Sequence, residues 1–187
     1  MEIKKQLNIS KKEFLSIPNI MGYFRILLIP IFCYLFLTAK TDRDYQIVAC
    51  IVLLSAVTDF LDGLIARKCN MITELGKFID PVADKMTHAA IAICLVFKFP
   101  LMLLIVGIML LKEGFMAVMG YIKLKEGKKL DGAMWFGKVC TALQFLVVFI
   151  LLLFPSLPLH VANTMILVCG AGMLFTLIMY VPVLKRL

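Results

Sequence analysis

The sequence predicts an all-α polytopic membrane protein, with six transmembrane helices preceded by a short interfacial amphipathic helix. Three observations predict it. Of the 187 residues 62% are hydrophobic, well above the roughly 45–50% expected of a soluble globular chain, and the mean hydropathy is +0.97. The apolar residues gather into six runs, each near the length of about 20 residues that a helix needs to cross the hydrocarbon. Polar, mostly basic segments separate the runs. Together they consume the chain, so no separate soluble domain fits.

Taken in order, residues 3–17 set Lys4, Lys5, Lys11 and Lys12 among Ile3, Leu7, Phe14, Leu15 and Ile17. Ser10 and Glu13 have the spacing of a capping box, and the pattern reads as a helix lying on an anionic membrane surface. A solvated basic tail is the plainer alternative. The charged start and the lack of a small-residue cleavage site argue against a removable signal. The domain organisation expected is therefore an interfacial segment, 1–17, and a six-helix membrane domain, 18–187. The spans are expected near 20–38, 47–66, 82–97, 101–121, 135–154 and 161–183.

Basic residues orient these spans, because loops rich in Lys and Arg stay in the cytoplasm. One side holds the N-terminal lysines, Arg67, Lys68, Lys77, Lys123, Lys125, Lys128, Lys129, Lys185 and Arg186; the other holds Lys40, Arg43 and Lys98. Both termini and the 63–79 and 122–134 loops are thus expected in the cytoplasm. The formal net charge of +8 is then a signal for topology and lipid headgroups, with no nucleic acid invoked. The six cysteines are scattered, never in C-x-x-C pairs, and read as small apolar fillers.

The segment DFLDGLIARKCNMITELGKFIDPVAD, residues 59–84, interrupts this apolar chain with four aspartates. Helical neighbours three and four apart put Ser55, Asp59, Asp62 and Ala66 on one stripe, with Gly63 beside it, and Gly76, Asp80 and Asp84 on another. A short turn joins the two helices, so the stripes can face each other. Four converging carboxylates cannot stay ionised without protonation or cations among them. Hard oxygen donors suit Mg²⁺ or Mn²⁺, and two such ions would neutralise four aspartates. Metal beside a basic loop is what phosphoryl chemistry on a lipid-linked diphosphate needs. Gly63, Ala66 and Gly76 would let a nucleotide approach the helix backbones, and Arg67 supplies a fork for phosphate. Helix packing and a positive-inside anchor are the respective plainer readings. A divalent-cation transporter is the rival from another class, since intramembrane acids also line ion pathways.

These residues resemble the CDP-alcohol phosphotransferase family, whose pattern D-x2-D-G-x2-A-R-x8-G-x3-D-x3-D is met by Asp59, Asp62, Gly63, Ala66, Arg67, Gly76, Asp80 and Asp84. The resemblance implies a six-helix membrane domain, commonly a homodimer, that transfers a phosphatidyl group from CDP-diacylglycerol to an alcohol with release of CMP. It implies Asp59, Asp62, Asp80 and Asp84 as metal ligands, Asp84 also as general base, and Asp62, Gly63, Ala66, Arg67 and Gly76 as the receptor of the CDP moiety. The stretch FIDPVADK, with Pro81 and Lys85, and the N-terminal Pro18, Asn19 and Arg25 resemble the glycerophosphate branch. Arg25, Lys85, Lys112 and Lys138 are the candidate cations for an acceptor phosphate. Gly137, Lys138 and Thr141 resemble a G-K-x-K-T motif, except that Cys140 stands where the second lysine would be. Glycerol 3-phosphate is the favoured acceptor. Phosphatidylglycerol, which would make a CMP-forming cardiolipin synthase, is the alternative.

Three side readings remain. Lys112 and Glu113 are adjacent, hence about 100° apart on a helix, and are expected to find separate partners. His88 lies one turn beyond Asp84 on the same face and reads as a hydrogen-bonded packing residue. His160, beside Pro158, reads as a loop residue.

Overall fold

The computed structural model describes residues 16–68, 73–127 and 134–186. Within them six helices follow one another: α1 (Ile17–Thr38), α2 (Asp42–Lys68), α3 (Glu74–Val96), α4 (Met102–Lys125), α5 (Trp135–Leu153) and α6 (Leu159–Arg186). No strand occurs among the described residues. The interfacial helix expected over 3–17 falls outside the described residues as far as residue 15.

Five of the helices, all but α3, are long and apolar enough to cross a membrane, at Ile17–Thr38, Asp42–Ala66, Met102–Ile122, Trp135–Leu153 and Leu159–Val183. The chain is an integral membrane protein. Helix α3, with 23 residues, has the length of a span but carries Asp80, Asp84 and Lys85 in its first half, so by composition it stands apart from the other five. It also begins at Glu74, well before the expected 82, because Thr73 caps it: the Thr73 hydroxyl accepts the Gly76 N–H at 2.9 Å.

The Cα trace divides into two units, residues 1–91 and 92–187. In the first, α1 packs along α2. The intervening link is short and well capped. Thr41 Oγ1 accepts the Asp44 N–H at 3.3 Å while Asp44 Oδ2 accepts the Thr41 N–H at 2.8 Å, a reciprocal capping box. Beside it the rings of Phe36 and Tyr45 meet edge to face, 5.3 Å between centroids. The buried face of α1 runs Asn19, Gly22, Arg25, Leu28, Phe32, Phe36, a 3.6-residue repeat that is polar in its first two turns and apolar after.

In the second unit α6 packs against both α4 and α5. Its buried stripe is Ala162, Ile166, Cys169, Met173, Thr176 and Tyr180. The Phe136 and Tyr180 rings cross at 4.8 Å, and Gln144 Nε2 donates to the Met109 sulfur at 3.6 Å, so a buried amide has a partner. Large apolar side chains such as Leu27, Leu37, Leu103, Leu110, Leu167 and Ile178 lie on the outer faces, as lipid contact requires. The five cysteines among the described residues are free thiols, three of them buried.

Candidate active site

The site is built in the first unit from α1, α2 and α3. Arginine in an otherwise apolar span must find a counter-ion, since an unpaired charge there is costly. Arg25 finds three. Its Nη1 pairs with Asp59 Oδ1, and its Nη2 donates to Asp62 Oδ2 at 2.9 Å and to Asp80 Oδ1 at 3.3 Å. The arginine side chain is 2% exposed and that of Asp62 3%, so this pair forms the dry floor of the site. Asp59, Asp80 and Asp84 are nearly half exposed and form its open rim.

Close helix approach makes this possible. A Cβ on Gly22 would stand 2.9 Å from Ile79 Cγ2 and 3.6 Å from Asp80 Oδ1, so only glycine lets α1 come near enough for Arg25, one turn on, to reach α3. At Gly76 the same holds: a Cβ would lie 2.7 Å from Asn19 Oδ1. Asn19 is fully buried, and its Oδ1 accepts the Thr73 hydroxyl at 3.1 Å, which ties the α3 cap to α1. Gly76→Ala is accordingly expected to cost about 1–3 kcal/mol through overpacking. The check is the unfolding midpoint in detergent, where no change would mean that Asn19 yields freely.

The fourth aspartate is held differently. Asp84 Oδ1 lies 3.7 Å from His88 Nδ1, one turn along α3, and Arg25 does not contact it among the described residues. His88 thus faces the site through Asp84, as its spacing suggested. Electrostatically the carboxylates form one group: Asp84 acts on Asp59, and both Asp59 and Asp80 act on Asp62. The expected convergence of two acidic stripes is present, with an arginine from a third helix between them.

The donor set is carboxylate oxygen throughout, and three carboxylates already turn toward one cation, which fits a hard divalent ion. Asp59, Asp62 and Asp80 would hold it, with Asp84 alongside. As they stand, no three acidic, histidine or cysteine side chains among the described residues are spaced to close on one ion directly. The guanidinium of Arg25 lies between them.

The other expected site residues fall as follows. Gly63 and Ala66 are half-buried in the last turns of α2, and Gly76 is buried. Arg67 belongs to the same turns of α2, and its side chain lies outside the described residues. Lys85 is exposed on α3. Lys112 and Lys138 belong to the second unit, the first mostly buried and the second exposed. The expectation of separate partners for Lys112 and Glu113 is corrected: Lys112 Nζ lies 3.8 Å from Glu113 Oε1. Two long, flexible side chains span the 100° offset that shorter ones would not. His160 is corrected as well, since it lies in the first turn of α6, where its carbonyl accepts the Thr164 hydroxyl at 2.9 Å.

Sequence reasoning missed the bridging role of Arg25 and the Asn19–Thr73 tie. The signal was present in the spacing of Asn19, Gly22 and Arg25, three small or polar residues on one face of an apolar helix.

Comparison with known proteins shows the family. The family model described as CDP-alcohol phosphatidyltransferase matches residues 15–181. The chain belongs to the CDP-alcohol phosphatidyltransferase family. It is 34% identical over 152 residues to the CDP-diacylglycerol--glycerol-3-phosphate 3-phosphatidyltransferase of Escherichia coli strain K12, covering 79% of this chain and 82% of that one. The proteins of the same description from Shigella sonnei strain Ss046 and Shigella flexneri serotype 5b are also 34% identical, the latter over 146 residues. Membership makes this phosphatidyltransferase an enzyme of divalent-metal-dependent phospholipid chemistry, and the transporter reading is set aside.

Proposed function

We propose that this chain transfers the phosphatidyl group of CDP-diacylglycerol to glycerol 3-phosphate, releasing CMP. The observation that carries the proposal is the gathering of Asp59, Asp62 and Asp80 around one cation, with Asp84 beside them next to His88. The relatives' shared description supplies the donor and the acceptor.

In the reaction a hydroxyl oxygen of the acceptor attacks the β-phosphorus of the donor, the one that bears the diacylglycerol. The bond from that phosphorus to the bridging oxygen breaks, and CMP leaves with the electron pair. Asp84 takes the hydroxyl proton, which a carboxylate can do only when the hydroxyl is held within hydrogen-bond reach. Two Mg²⁺ or Mn²⁺ ions, when bound, supply charge stabilisation for the transferring phosphoryl and the leaving group. Asp59, Asp62, Asp80 and Asp84 would hold them. Asp62, Gly63, Ala66, Arg67 and Gly76 are proposed to receive the CDP moiety, with the small side chains of half-buried Gly63 and Ala66 keeping the α2 backbone accessible. Arg25, Lys85, Lys112 and Lys138 are the cations proposed for the acceptor. The six helices act as one catalytic domain, 18–187, in a homodimer, with both termini and the acidic rim on the cytoplasmic side.

One sequence feature favours a second acceptor. Cys140 replaces a lysine of the resembling motif, and phosphatidylglycerol, with a single phosphodiester charge, would need fewer cations. An acceptor panel decides between them. Membranes containing the protein, labelled CDP-diacylglycerol and Mg²⁺ should form lipid product with glycerol 3-phosphate and not with inositol phosphate or serine. Product with phosphatidylglycerol alone would reassign the acceptor. Absence of CMP release with every alcohol would overturn the reading altogether.

A further inference from the structure

Arg25 places its guanidinium where the proposed function needs a metal. We propose that Arg25 is the cation resident in the acidic cluster before metal arrives, and that divalent ions bind by displacing it from the carboxylates. The inference rests on the metal-dependent reading above.

Three observations carry it. The guanidinium reaches one oxygen on each of three carboxylates from two helices, so it occupies the point on which they converge. The side chain is buried, yet its Nε has no hydrogen-bond partner among the described residues, so one donor of this dry arginine is unsatisfied. No three acidic side chains among the described residues can close on an ion as placed. Mg²⁺ requires oxygens at about 2.0–2.1 Å from its centre, and the guanidinium atoms lie between the three carboxylates that would supply them. For the carboxylates to tighten onto an ion, the space now filled by the guanidinium must empty.

The charges run the same way. One arginine faces four neighbouring aspartates, three of them in contact with it, so a single positive charge cannot balance the group and a doubly charged ion is attracted. The arginine also prevents a worse excess of negative charge while no metal is present. Removing it should therefore strengthen metal binding, whereas a purely supporting arginine would weaken it when lost.

The test is Mn²⁺ binding to the full chain in detergent, read from the loss of the free-ion paramagnetic resonance signal, with no lipid substrate present. Arg25→Gln is expected to bind Mn²⁺ about tenfold or more tightly than the unaltered protein, the scale on which a neighbouring charge acts on a carboxylate. Arg25→Lys keeps the charge and loses the fork, and is expected to gain affinity by a smaller factor; it also serves if the glutamine variant fails to fold. Unchanged or weaker Mn²⁺ binding in either folded variant would overturn the inference. A wild-type protein that binds Mn²⁺ and releases CMP while the variants gain nothing would overturn it alone. A wild-type protein that binds no Mn²⁺ would take the metal reading down with it.

Discussion

Replacing Asp84 with asparagine is expected to slow CMP release by about 10²- to 10⁴-fold, the usual worth of a positioned general base. Asparagine keeps the size and most hydrogen bonds of aspartate and cannot accept the proton. The structure singles Asp84 out physically. Of the four aspartates it is the one that Arg25 does not hold among the described residues, and it stands on the open rim with His88 as its neighbour at 3.7 Å. Asp59→Asn is expected to fail earlier, at metal and nucleotide binding, because Asp59 belongs to the group that gathers a cation. Calorimetric titration with a CDP ligand in Mg²⁺ separates the two. Equal loss of binding in both variants would refute this division of roles.

Arg25→Ala in metal-free protein is expected to lose about 3–5 kcal/mol of stability, the usual consequence of removing one member of a buried ion pair. The loss arises from the Asp62 carboxylate, 3% exposed and left without its counter-charge. Asp59 and Asp80, nearly half exposed, keep water and contribute little to it. The double variant Arg25→Met/Asp62→Leu, which removes both charges, is expected to recover most of the loss. Thermal unfolding in detergent with chelator measures both. A single variant that melts with the unaltered protein would show that the pair holds nothing together.

Much of this was legible in the residue order because it depends on local spacing. Runs of apolar residues mark spans, and the three- and four-residue intervals among Asp59, Asp62, Asp80 and Asp84 place each pair on one helix face. Helix α3 was legible as acidic, though its start was not, because the Thr73 cap sits upstream of the apolar run that marks the span. Lys112 and Glu113 show the reverse error, where a rule about backbone direction underestimated the reach of two long side chains.

By itself the sequence determined the membrane class, the acidic motif and the family, since hydropathy and short-range periodicity are properties of neighbouring residues. Only the tertiary structure decided that Arg25 enters the motif and that Gly22 and Gly76 open the way for it. The reason is distance along the chain. A buried charge pairs with whatever the packing of helices brings to it, and 37 residues separate Arg25 from Asp62.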